Sequence, residues 1–290
     1  MPPVFGVLFD GIAYGMLLFL LSVGLSVTLG MMNFVNLAHC SFAMVGGYVT
    51  VTLMNAFGWP FFATLPAAFI VAAAVSVVLE RVFFRRFYRA TDLEQCLLTI
   101  GIVFISIAGA AYIYGTTNQP VQLPAYLHGS IDFAGLNLAV YRLVLIAIAM
   151  AITVLLVVTI EMTRFGAQVR AAVNNQRMAR GLGINVDALF AITFALGSGL
   201  AGLGGALAID IVGGVDPNFP IKFMVSFLIV VAIGGSRGIA GAFFGALLLG
   251  VLDVAGKYYF PSIGAFIIYA VMVATLILRP RGLFAKGDGR

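Results

Sequence analysis

Charged side chains make up only 9% of the 290 residues, where soluble domains carry roughly 25%. That scarcity excludes a soluble globular chain, since 62% of the residues are hydrophobic and mean hydropathy is +1.11. The alternating pattern of a β-barrel is also absent, so backbone groups within a bilayer must be satisfied inside helices. Cysteine is nearly missing. Cys40 and Cys96 stand far apart in apolar surroundings without metal-ligand spacing, and read as two free, buried thiols. The opening residues, MPPVFGVLFD, have neither a basic region nor a small-x-small cleavage site, so the first apolar run is expected to remain as a span.

Catalytic chemistry is missing as well. A phosphate-binding loop needs four residues between its glycines and a Ser or Thr after the Lys. Gly250 and Gly256 are separated by five, and Tyr258 follows Lys257, so the chain hydrolyses no nucleotide itself. No nucleophile–base or metal constellation suggests an enzyme. Acid–base pairs deep within a span, the mark of ion-coupled carriers, are not evident; Asp10, Asp253 and Lys257 are read as interfacial charges near span ends.

What is present is a series of apolar runs of about 20 residues, each long enough to cross a hydrocarbon core of roughly 30 Å as a helix. The reading is an all-α polytopic membrane bundle, a single permeation domain over 1–290 with eight or nine spans and broken or re-entrant helices. Spans are expected near 4–29, 41–57, 61–79, 95–114, 138–160, 188–209, 223–233, 239–252 and 263–278. Three segments hold four basic residues each, 12 of the 16 in the chain: Arg81, Arg85, Arg86 and Arg89; Arg164, Arg170, Arg177 and Arg180; Arg279, Arg281, Lys286 and Arg290. The positive-inside rule assigns all three to the cytoplasm. The net charge of +5 therefore reports orientation in a lipid bilayer and not a nucleic-acid partner. The 115–137 segment becomes an external loop, 161–187 a cytoplasmic loop and 279–290 a cytoplasmic tail.

Two polar features interrupt this pattern. The stretch GMMNFVNLAHCSFAMVGGYV, residues 30–49, contains Asn33, Asn36 and His39 but no Lys or Arg. On a helix their spacing would put them on one broad face about 9 Å long. They could line a solute path together with Ser41, Gly46 and Gly47, or they could form a polar turn or hydrogen-bond a helix break. GGSRG (234–238), with Gly234 and Gly235, is a second small-residue interruption and a possible counterpart. The other feature is GAQVRAAVNNQRMARGLGIN, which has helix formers from Ala167 to Arg180 and then the stop signals Gly181 and Gly183. One short helix there would present a rigid basic surface to a cytoplasmic partner; the alternative is a solvated loop. The 34 glycines concentrate inside spans, Gly11/Gly15, Gly241/Gly245 and five between Gly197 and Gly205 among them, and are read first as sites of close helix packing.

The segments GLSVTLGMMNFVNLAHCSFAMVGGY (24–48), RAAVNNQRMARGLGINVDALFAITFALGSGLAGLGGAL (170–207) and AIGGSRGIAGAFFGALLLG (232–250) occur in one order. In these blocks the chain resembles the LivH-type permeases of branched-chain amino-acid ABC importers, over essentially its whole length. Cys40 stands where that family usually has Gly. The resemblance implies a multi-pass subunit of a bacterial inner (plasma) membrane that pairs with a second, LivM-like permease. Two cytoplasmic ATPases and a periplasmic substrate-binding protein would complete the importer; ATP would be hydrolysed by the partners and no cofactor bound by this chain. RMARGLG (177–183) stands where the family's EAA…G coupling motif is expected, with Ala179 and Gly183 matching and Arg177 in place of Glu. ATPase coupling is thereby assigned to Arg170, Asn174, Arg177, Ala179, Arg180 and Gly183. A permease for urea or amides, or an ion-coupled secondary carrier or channel, are the alternatives.

Overall fold

The computed structural model describes residues 4–32, 34–88, 90–133, 136–235, 238–279 and 282–283. Twelve α-helices follow one another among these: α1 (Val4–Met32), α2 (His39–Asn55), α3 (Phe61–Leu79), α4 (Arg85–Phe87), α5 (Asp92–Tyr114), α6 (Val140–Val157), α7 (Arg164–Asn174), α8 (Gln176–Gly181), α9 (Val186–Val212), α10 (Phe219–Gly234), α11 (Ile239–Tyr259) and α12 (Gly264–Leu278). Wider π-turns at Glu80–Phe84 and Val158–Met162 carry α3 into α4 and extend α6. Six helices are long and apolar enough to cross a membrane, and α10 and α12 are shorter apolar helices. The chain is therefore multi-pass.

Local chemistry sets the boundaries. Thr91 and Glu94 form a reciprocal capping box that starts α5. Pro220 sits in the first turn of α10, where its missing N–H has no intrahelical partner to lose. Two boundaries differ from the sequence reading. The 167–180 segment is not one helix: Asn175 is extended and its side chain accepts from Met178 N at 2.9 Å, capping α8 as a separate element. The segment between α5 and α6 also holds a short antiparallel hairpin, β1 (Ser130–Phe133) and β2 (Leu136–Ala139), pairing Ser130 with Ala139, so the fold is not strictly all-α.

The core is built on small residues. α9 is the most enclosed span, 78% buried, whereas α6 is only 11% buried. A Cβ at Gly24 would stand 2.2 Å from the Gly197 carbonyl oxygen, and one at Gly46 would stand 2.0 Å from that of Gly202. α1 meets α11 in the same manner, with Gly15 against Leu247 and Gly250. Without a hydrophobic force between helices in lipid, such backbone approach supplies the packing.

Paired helix ends define two faces of the bundle. At the basic end, Arg85 after α3 bridges to Asp187 at the start of α9. At the other end, Gln119 pairs with Val215, Asn55 donates to the Pro120 carbonyl and Asp10 forms an ion pair with Arg142. Asp253 is buried and paired with Lys257 one turn on, at 2.6 Å. The three candidate interfacial charges are thus held in ion pairs, the second at the i, i+4 spacing of a helix face.

Candidate functional site

The first site is the break between α1 and α2. Helix α1 ends at Met32, residues 34–36 are irregular, and α2 begins at His39. Asn36 and His39 therefore do not share a helical face as the spacing suggested; Asn33 lies outside the described residues. The His39 Nε2 is 3.1 Å from the carbonyl oxygen of Leu21, 11 residues before the end of α1. Eleven residues of helix span about 16 Å, so the chain re-enters the bundle before α2 starts. Gln95 holds this re-entry in place. Its Oε1 accepts from Val35 N at 2.9 Å, and its Nε2 reaches the carbonyls of Phe87 and Ala90 at 3.3 and 3.2 Å. Phe34 packs against Phe84 and Tyr88 beside it.

Asn36 and His39 are completely buried. Six buried side-chain atoms among the described residues lack any hydrogen-bond partner, and three of them are Asn36 Nδ2, Asn36 Oδ1 and His39 Nδ1. An orphaned buried polar group costs about 1–3 kcal/mol, so this concentration calls for a function. A backbone carbonyl can only accept, so Nε2 of His39 carries the proton and Nδ1 is left as a bare acceptor. The ring packs edge-on between Phe42 and Phe227, with centroids 6.5 and 6.3 Å away.

The other residues assigned to the path behave differently. Ser41 Oγ is 2.7 Å from Ser106 Oγ; Ser106 donates to the Val103 carbonyl, so Ser41 is the donor in the pair. Gly46 and Gly47 meet α9 and Val215, and Gly234 meets the backbone of Gly241, so in this conformation all three are packing positions without room for a solute. Gly235 closes α10 at φ +81°. Gly282, also at positive φ, lies against it, and Leu283 N donates to the Ile233 carbonyl at 2.8 Å.

The second site is the helix pair α7–α8. Beneath it Val169, Ala172, Ala179, Val186, Leu189 and Phe190 form their own small apolar core, which fixes the pair to the start of α9. Thr163 caps α7 and Asn185 caps α9. Gly183, at φ +83°, lets the chain turn so that Ile184 N reaches the Ala179 carbonyl. Asp187 accepts from both Arg85 and Arg180 at 2.8 Å, tying α4, α8 and α9 together. Arg170, Asn174, Arg177, Arg180 and Gly183 are exposed, whereas Ala179 is buried at 2% and can act only through packing. Met178 and Leu182, 63% and 75% exposed, add an apolar centre to the basic surface. Sequence reasoning passed over these two, and over Gln95 and Asp187. A lone amide one turn into an apolar span was the available signal for Gln95.

Residues 7–276 match the family model described as the permease component of branched-chain amino acid transport systems. The chain belongs to this family. A probable branched-chain amino acid transport permease protein LivH of Methanocaldococcus jannaschii is 27% identical, over 96% of this chain and 91% of its own length. The high-affinity LivH permease protein of Escherichia coli K12 is 25% identical, over 97% and 95% respectively. The LivM permease protein of the same strain is also 25% identical, over 92% of this chain and 68% of its own. The chain is thus similar to both the LivH and the LivM permease proteins of one strain. No solved structure matches the chain.

Proposed function

We propose that this permease is one membrane subunit of an ATP-driven importer for branched-chain amino acids. It pairs with a LivM-like subunit, docks two cytoplasmic ATPases through α7–α8, and receives its solute from a binding protein at the opposite face. The chain crosses the inner membrane nine times, α2 being the broken crossing. Its N-terminus is external, and the 161–187 loop and the 279–290 tail are cytoplasmic. The observation that carries this reading is the rigid mounting of an exposed basic and apolar helix pair on α9, the most enclosed span. A force applied to α7–α8 is transmitted to the centre of the bundle and not absorbed by a loop. Nucleotide bound elsewhere supplies the differential contacts that shift the bundle between its two states. The solute path runs past the α1–α2 break, with Asn36, His39 and Ser41 on one side and Gly235 at the counterpart break.

The test is co-expression with the ATPases, the second permease subunit and the binding protein. Met178→Glu with Leu182→Glu is expected to abolish co-purification of the ATPases while the two permease subunits stay together. ATPases that still co-purify in full would refute the docking assignment, and a complete complex without leucine uptake would refute the substrate.

A further inference from the structure

The orphaned atoms at the α1–α2 break have a chemistry that selects one kind of ligand. Asn36 offers a donor and an acceptor from a single amide, and His39 adds an acceptor because its proton is committed to Leu21. The amino end of α2 begins at the same place; its N-cap, Ala38, has no side-chain cap. His39 N already donates to the Asn36 carbonyl and Ser41 N to that of Ala38, so a carboxylate would be attracted to this amino end chiefly through the helix dipole. Phe42 and Phe227 stand beside the ring in edge arrangements. Among the described residues the only buried carboxylates are Glu80, held by the Tyr88 hydroxyl, and Asp253, paired with Lys257. Neither offers a free charge that would bind a cation.

We propose that the α1–α2 break binds the zwitterionic head of a free α-amino acid, an inference that rests on the importer reading above. The carboxylate lies against Asn36 Nδ2 and the start of α2, and the ammonium donates to Asn36 Oδ1 and His39 Nδ1. The aliphatic side chain lies along Phe42 and Phe227. Both head charges are then met by neutral dipoles, so a solute with net charge lacks compensation and is rejected by the cost of desolvating it. The buried state described here is the closed form of the site. Access comes when α2 parts from α1 during the transport cycle.

The experiment uses the reconstituted complex of both permease subunits and the ATPases without the binding protein, so that only the membrane path is sampled. Saturation-transfer NMR is recorded with L-leucine, leucinamide and 4-methylpentanoate, which carry both head charges, the ammonium alone and the carboxylate alone. Leucine is expected to bind at least about tenfold more tightly than either analogue, in keeping with hydrogen bonds to charged groups. His39→Gln keeps a donor for Leu21 and moves the remaining acceptor away from the Nδ1 position, and Asn36→Leu removes both amide partners. Each is expected to weaken leucine about tenfold or more, while Asn36→Gln retains part of the binding. Equal binding of the three solutes, no leucine binding to the wild-type complex, or leucine binding unchanged in both variants would each overturn the proposal. Leucine uptake by the complete importer is measured in parallel. Normal uptake with no binding at this site defeats the site alone, whereas uptake of a different solute defeats the importer reading.

Discussion

Placing one methyl group between α2 and α9 should damage the fold far more than the same change on an open helix face. In Gly46→Ala the new Cβ stands 2.0 Å from the Gly202 carbonyl oxygen and 2.4 Å from the Gly202 Cα. Contacts of a Cβ below 3.0 Å essentially never occur, so the helices must part by at least about 1 Å. Helix α9 has no room to retreat, because α3 presses on its far side: a Cβ at Gly202 would itself be 2.4 Å from that of Ala72. Overpacking of a core costs about 1–3 kcal/mol, and because the clash is with backbone the upper end applies. Gly109→Ala is the control. Gly109 is exposed on α5 with nothing within 4 Å, and alanine in a helix interior gains about 1 kcal/mol over glycine. The two variants should therefore differ by roughly 3–4 kcal/mol. Thermal unfolding in detergent, followed with a thiol-reactive dye in a Cys96→Ala background, measures this directly, because Cys40 is buried and released on unfolding whereas Cys96, expected to be buried, is only partly so. Equal midpoints for Gly46→Ala and Gly109→Ala would refute the packing argument.

The other predictions concern the two sites. Gln95→Leu leaves Val35 N and the carbonyls of Phe87 and Ala90 without their partner, so a loss of about 2–4 kcal/mol is expected in the same unfolding assay. Asn36→Leu removes two orphaned atoms and should raise the midpoint, by about 1–3 kcal/mol, while leucine uptake falls and ATPase co-purification is kept; a destabilised variant would show that the amide is structural. Asp187→Ala breaks two half-exposed ion pairs, each worth about 1 kcal/mol at most, so folding should survive. ATP-driven uptake in that variant should drop relative to ATP hydrolysis, because α8 loses its tie to α4; an unchanged ratio counts against transmission through Asp187.

The run lengths between Val4 and Leu278 exposed the order of the helices because a span in lipid must be both long and apolar, and basic residues then mark one end. The ends of α1 at Met32 and of α10 at Gly234 were legible for the same reason, since polar or small residues inside an apolar run mark a place where the helix stops or a neighbour comes close. What escaped was tertiary. Gln95 reaches Val35 across 60 residues, and nothing local in either segment announces the pairing. The face assigned to Asn36 and His39 presupposed a helix that ends before reaching them. The division of α7 from α8 was visible in principle, since the pair Asn174–Asn175 offers a cap in mid-segment. Ala179 matched the coupling motif yet proved to be a floor residue, because a motif records position and not which way a side chain turns. Asp253 and Lys257 show the reverse case: an i, i+4 pair readable from spacing alone, judged instead by its nearness to a span end.

The junction between the α10 terminus and the tail also bears on heredity. Gly235 and Gly282 both have positive φ, and the Gly235 backbone occupies the volume a side chain on Gly282 would need. A substitution at Gly282 is therefore judged by the chain path at Gly235, 47 positions away. In descendants of this gene the two positions should drift in step or not at all. A chain that loses the second glycine should be found to have rerouted its tail.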